Sequence, residues 1–128
     1  MSQEEAMRYW LYTAQETKKS AEDTFVNKHP EWGFFLYHLA LEKLLKGLLV
    51  KKGTIPIPSH DLVKLVKSVS VVLTSVQELQ LREITSYNIE ARYDDYKLSY
   101  YKKVTQNPYK KEWMNICKEI FLWLESKY

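Results

Sequence analysis

The sequence predicts an all-α protein: an antiparallel, up-down bundle of four to five helices, with residues 1–128 forming one domain. Three observations predict it. Apolar residues recur every three or four positions along nearly the whole chain, the period of a helix face rather than of a strand. Capping boxes and helix-starting prolines punctuate that pattern. The joints between the punctuated stretches are short, which sets successive helices antiparallel.

Each element has its own signal. Ser2-Gln3-Glu4-Glu5 is a capping box, in which Ser and Glu satisfy free backbone N–H groups. Ala6, Trp10, Ala14, Thr17, Ala21 and Phe25 then repeat at helical spacing and predict a long helix to about Asn27. Pro30 suits the first turn of a second helix, where its missing N–H would have no partner anyway. Phe34, Tyr37, Leu41, Leu44, Leu45 and Leu48 form that helix's apolar stripe. Gly53 and Ile55-Pro56-Ile57-Pro58 end it, because neither proline fits a helix interior.

Ser59 is the expected cap of a third helix, with Asp61 in its first turn, where negative charge suits the macrodipole. Leu62, Leu65, Val66, Val69 and Leu73 would form its inner face. The β-branched valines also fit a strand, and the three-four spacing decides for helix. A second capping box, Ser75-Val76-Gln77-Glu78, opens a fourth helix with Val76, Leu79, Glu83, Ile84 and Tyr87 on its inner side. Asn107-Pro108 starts the last helix, where Trp113, Ile116, Cys117, Ile120 and Leu124 face inward.

At 128 residues the chain is long enough to bury one core without metal or disulfide staples. No apolar stretch approaches the roughly 20 residues that span a bilayer, and Glu4 and Glu5 stand where a secretory leader would be apolar. Cys117 is the one cysteine, which excludes an intramolecular disulfide and fits a reducing compartment. A cytoplasmic protein that does not engage a membrane is expected.

Charge is unevenly distributed. Residues 1–91 hold 11 Lys/Arg against 11 Asp/Glu, and residues 92–128 hold 8 against 5, so the net +3 arises in the last third. Tyr93, Tyr96, Tyr100, Tyr101 and Tyr109 are interleaved with those basic residues. Such a segment can attract phosphates and stack on bases.

Three clusters place titratable side chains among apolar ones, and burying a charge is costly unless it is paired. On the second helix His38, Glu42 and Lys46 fall at i, i+4 and i+8, with Lys43 beside them. The row is either a solvated face with i,i+4 ion pairs or the wall of a cleft where Glu42 orients a base or sugar and the lysines meet phosphate. Ser59-His60-Asp61-Leu62 puts a histidine at a helix start. It can pack locally against a carbonyl or carboxylate, or reach an anionic ligand. Arg92-Tyr93-Asp94-Asp95 follows the fourth helix; Arg92 can hold phosphate bidentately or form a buried ion pair with Glu42. A metal is not expected: His38 and Glu42 supply two ligands where a site needs at least three. No cofactor and no catalytic residue is assigned.

Together these pieces resemble a HEPN domain, the higher eukaryote and prokaryote nucleotide-binding family, in its small stand-alone prokaryotic form. The resemblance rests on Trp10-x-x-x-Ala14, on Ala40, Glu42, Lys43 and Lys46 for Ala-x-Glu-Lys-x-x-Lys, on Ser59 through Leu62 for Thr/Ser-His-Asp-Leu, and on Arg92 and Tyr93 for an Arg-Tyr-Pro-Asp-like element. Asp94 replaces the proline of the last motif, so a less rigid loop is expected there. His38 stands where glutamine is common, and Thr17 where an acidic residue is frequent.

The resemblance implies a HEPN-like helical bundle that interacts with nucleotides or RNA. It implies a homodimer, with a minimal nucleotidyltransferase subunit as partner in a two-component or toxin–antitoxin system. Glu42, Lys43, Lys46, His60, Arg92 and Tyr93 are the ligand-binding candidates. The family also contains metal-independent ribonucleases that use an arginine, four to six intervening residues and then a histidine. Here Lys97, Leu98 and Ser99 occupy the positions reached from Arg92, and no histidine follows His60. A non-catalytic module is therefore expected. The alternatives are a ribonuclease with a displaced set, Arg92 and His60, or a pure interaction scaffold.

Overall fold

Six helices follow one another in the computed structural model, which describes residues 1–128: α1 (Gln3–Val26), α2 (Pro30–Lys51), α3 (Leu62–Ser68), α4 (Ser75–Glu90), α5 (Ser99–Val104) and α6 (Tyr109–Glu125). There is no strand, and the predicted all-α bundle is what forms. No helix is long and apolar enough to cross a membrane.

α2 is the axis of the molecule and packs against all five other helices. Thirteen of its 22 residues are buried, which is the pattern of a helix enclosed on nearly every side rather than a one-faced surface helix. Phe34, Leu41, Leu44, Leu45 and Leu49 are completely removed from solvent. Each such side chain contributes about 1.5–3 kcal/mol relative to exposure. The largest interface of the bundle lies between α1 and α2. There α1 presents the small buried residues Ala14, Thr17 and Ala21, which let the two backbones approach.

The predicted cap of α1 is present in full: Ser2 Oγ accepts from Glu5 N at 3.1 Å and Glu5 Oε1 from Ser2 N at 3.4 Å. Pro30 is the first residue of α2 as expected. Three local expectations are corrected. Asp61, not Ser59, caps α3, its Oδ1 accepting from Val63 N and Lys64 N at 3.0 and 3.2 Å. Ser59 Oγ instead accepts from Asp61 N at 3.1 Å, one step outside the helix. Asp61, two residues nearer the helix, takes the cap because its Oδ1 reaches two free N–H groups of the first turn.

The third helix also stops at Ser68 rather than running to Leu73, because Ser70 adopts a left-handed conformation (φ 61°) that no helix continues through. Val69 and Leu73 still pack on the core from the connecting segment. The box opening α4 is Thr74 with Gln77, one residue earlier than Ser75 with Glu78. Ile84 and Tyr87 are buried as expected, together with Leu81 and Asn88, whereas Val76 and Leu79 are 61% and 68% exposed. The short α5 was not predicted, since six residues of Ser, Tyr, Lys and Val carry no readable period.

Gly47 marks the tightest approach in the bundle. A Cβ there would meet Trp10 Cβ of α1 at 2.8 Å and run into the Tyr128 hydroxyl, which donates to Leu44 O at 2.6 Å. Alanine in a helix interior is ordinarily favoured over glycine by about 1 kcal/mol, whereas overpacking costs about 1–3 kcal/mol. The clash with Trp10 Cβ is close to backbone and cannot swing away. Gly47→Ala is therefore expected to lower stability by about 1–2 kcal/mol despite its better helix propensity, measured as a lower urea midpoint at unchanged slope.

Candidate functional site

The centre of the site is one carboxylate. Glu42 lies midway along α2 and is 5% exposed, so its charge needs partners. Lys46, one turn on, donates from Nζ to Glu42 Oε2 at 3.0 Å. His60, in the loop before α3, stands 2.6 Å from Glu42 Oε1 through Nδ1. A carboxylate accepts, so Nδ1 carries the hydrogen, and Nε2 of this largely exposed ring is left free. His38, one turn before Glu42, donates from Nε2 to the His60 carbonyl at 2.9 Å and so fastens the same loop from the other side.

The predicted i, i+4, i+8 row thus has one job in two parts. His38 holds the loop's backbone and Glu42 holds its ring, with Lys46 balancing the carboxylate. Burial pushes the Glu42 carboxyl up, but hydrogen bonds from His60 and Lys46 and the charge of Lys46 outweigh it and leave the group below its ordinary value. Burial lowers the basicity of His38 below its ordinary value, against the raising effect of its bond to the His60 carbonyl.

Arg92 is exposed and seats its guanidinium 5.2 Å from the Phe35 ring centroid. Its charge is near enough to act on His38. The buried ion pair between Arg92 and Glu42 does not form; the partners of the carboxylate are Lys46 and His60. Phe35 was not singled out from the sequence, although it lies three residues before His38 and hence on the same side of α2. Lys43 points elsewhere: its Nζ donates to Thr17 Oγ1 of α1 at 2.9 Å. At that position a neutral hydroxyl takes the place of an acidic residue. Tyr93 is 74% exposed beside Arg92 and is not drawn into the Glu42 cluster. Trp32, with its ring 6.0 Å from Phe35, and Tyr96 add further exposed aromatic surface.

The loop carrying Arg92 is firmly tied, contrary to the expectation drawn from the missing proline. Asp94 Oδ1 accepts from Asp95 N and Tyr100 N at 2.9 and 3.0 Å, and Oδ2 from Tyr101 N at 2.9 Å. On the other side Ile89 O accepts from Arg92 N and Tyr93 N at 3.2 and 2.9 Å. One carboxylate does by hydrogen bonds what a proline does by fixing φ. The start of α5 is further anchored by the Tyr100 hydroxyl, which donates to Glu31 O at 2.6 Å. Lys103 bridges Glu83 and Glu90 of α4 at 3.1 and 3.3 Å, and Glu83 also accepts from the Tyr109 hydroxyl.

Surface hollows of about 390 to 430 Å³ open elsewhere on the protein, and none of them is lined by Glu42, His60 or Arg92. No group of three or more His, Cys, Asp or Glu side chains is placed to hold a metal ion. Cys117 is fully buried, and burial pushes its thiol far up, so it is not a nucleophile.

The chain matches the family model of the HEPN domain over residues 7–127. It therefore belongs to the HEPN family. Comparison with curated proteins and with solved structures returns no match.

Two expected outcomes test this geometry. Because Glu42 has a folded pKa below its unfolded value of about 4.3, its contribution is fully present above that pH and is lost as pH falls through the folded value. Glu42→Gln should destabilise the protein by about 1–3 kcal/mol at pH 7, with the gap to wild type closing below about pH 4 in urea titrations. Asp94→Ala should cost about 1–2 kcal/mol and raise amide exchange at Tyr100 and Tyr101, while amides in the middle of α2 keep their protection.

Proposed function

We propose that this HEPN protein is a non-catalytic module that binds nucleotides or RNA through the face formed by Arg92, His60 and Lys46, with Tyr93 and neighbouring aromatics as stacking surface. The observation that carries this reading is the state of Arg92. Its guanidinium is exposed, supported from below by Phe35, and bound to no carboxylate, which leaves its donor fork available for phosphate. His60 is presented outward by Glu42 at the same face. Lys43, engaged by Thr17, plays no part in it.

The module acts as a homodimer, and its partner is a minimal nucleotidyltransferase in a two-component, toxin–antitoxin-like system. Family membership supports this, as does the exposed apolar surface left on α4 by Val76 and Leu79. An open face becomes a cleft when a second protomer stands opposite it.

Fluorescence anisotropy with a labelled single-stranded RNA should report binding that weakens as salt rises. Arg92→Ala should reduce affinity about tenfold, the loss of about 1.4 kcal/mol, and Lys43→Ala should leave it unchanged. Light scattering at micromolar concentration should give twice the 15.3 kDa chain mass. If RNA, ATP and GTP all fail to bind while a nucleotidyltransferase co-purifies, the scaffold reading replaces this one.

One observation favours a second reading. Glu42 fixes Nδ1–H of His60 and leaves Nε2 free on an exposed ring, which is how a general base is prepared. With Arg92 steadying the phosphate, that would be a ribonuclease with a displaced set. RNA cleavage by pure protein, lost in both His60→Ala and Arg92→Ala, would establish it. Cleavage surviving both substitutions would reject these residues.

A further inference from the structure

A hollow of about 400 Å³ opens where the α1–α2 turn meets α5 and α6, beside Pro30. Lys28 and Lys110 stand on its walls with Tyr101 and Thr105, and Phe25 and Met114 supply apolar surface. Pro30 begins α2, so along the helix axis the hollow lies about 18 Å from Glu42. Phe25 packs against the Gly33 and Tyr37 side of α2, turned away from the row of His38, Glu42 and Lys46. The hollow is therefore separate from the face described above.

Its charge is one-sided. No carboxylate lines it, and neither Lys28 nor Lys110 forms a salt bridge, unlike Lys18, Lys19, Lys46, Lys67 and Lys103. The acids nearest in sequence, Glu31 and Glu112, both lie outside the lining, and Glu31 is met at 3.4 Å by His29 Nδ1. The Tyr101 side chain is about half exposed and its hydroxyl makes no hydrogen bond within the protein. Thr105 spends its own hydroxyl hydrogen on Tyr101 O at 2.7 Å, which leaves the lysines and Tyr101 as the donors. An apolar surface with a few convergent polar groups and this volume is the composition of a small-molecule site.

We propose that this hollow binds a small organic anion carrying a flat apolar body. Lys28 and Lys110 take the anionic group, the Tyr101 hydroxyl adds a hydrogen bond, and Phe25 and Met114 pack on the ring. A nucleoside monophosphate and an aromatic carboxylate share that chemistry. Lys28 and Lys110 are the only charged groups lining the hollow, so an anion gains from both charges and a neutral ring of the same shape does not.

The test is amide chemical-shift mapping of the full chain titrated with AMP, adenosine, indole-3-acetate and inorganic phosphate. Shifts at Lys28, Thr105, Lys110 and Met114 are expected with AMP or indole-3-acetate, and the stronger of the two identifies the source of the anion. Adenosine should bind at least tenfold more weakly than AMP. The double variant Lys28→Ala, Lys110→Ala should weaken binding read at Thr105 and Met114 at least tenfold with an unchanged circular dichroism spectrum, and the corresponding double arginine variant should retain it. Absence of shifts at millimolar ligand, equal binding of adenosine and AMP, or binding that survives the double alanine variant would overturn the proposal. Because Arg92 takes no part, this outcome is independent of whether RNA binds at the other face.

Discussion

The structure depends on keeping a charge inside its most buried helix. α2 touches every other helix, and a helix so enclosed would ordinarily be apolar throughout. Glu42 breaks that rule, and its carboxylate is tolerable only because Lys46 and His60 take one oxygen each. Lys46 comes from the same helix and costs no long-range order. His60 does not: it must be delivered by the segment between α2 and α3, and His38 secures that delivery through the backbone carbonyl. Compensating one buried charge thus fixes where the loop runs and where α3 begins.

The same logic explains why the site is an open face. Once both oxygens of Glu42 are occupied, Arg92 has no internal carboxylate to join, and it rests on Phe35 at the surface with its hydrogen-bonding fork unspent. Its loop is shaped by Asp94, which gathers three backbone N–H groups, and by an α5 clamped through Tyr100 and Lys103. A mobile arginine would lose conformational entropy on meeting a ligand; a loop ordered beforehand loses less. Of the aromatic and basic groups of the last third of the chain, Arg92 and Tyr93 stand at this face, Tyr101 and Lys110 at the hollow near Lys28, and Tyr100, Lys103 and Tyr109 are spent on internal contacts.

Much of the fold is legible from local chemistry. The Ser2–Glu5 box, Pro30, the proline-rich break after Gly53 and the stripe of α2 each act within a few residues, and helix boundaries follow from them. The errors arose where two neighbouring residues could do the same work. Thr74 and Ser75 both head a plausible box, and Thr74 took it, while packing left Val76 and Leu79 exposed. Ser59 and Asp61 both suit a cap, and the carboxylate took it. α5 left no signal because six residues stabilised by tertiary tethers need no period of their own.

For the site, spacing on a helix was enough to align His38, Glu42 and Lys46, since side chains four apart share a face whatever surrounds them. What lay across from that row was not readable. Lys43 and Lys46 differ by three positions, yet one meets Thr17 on α1 and the other Glu42, because packing against α1 decides which neighbour each finds. Arg92 could pair inward or remain outside, and occupancy of Glu42 by His60 settled it. The sequence by itself determined five of the six helices, their order and the family, all of which rest on short-range periodicity and motif order. Only the tertiary structure decided which charges are spent on one another and which remain free, because that depends on distances between segments far apart in the chain.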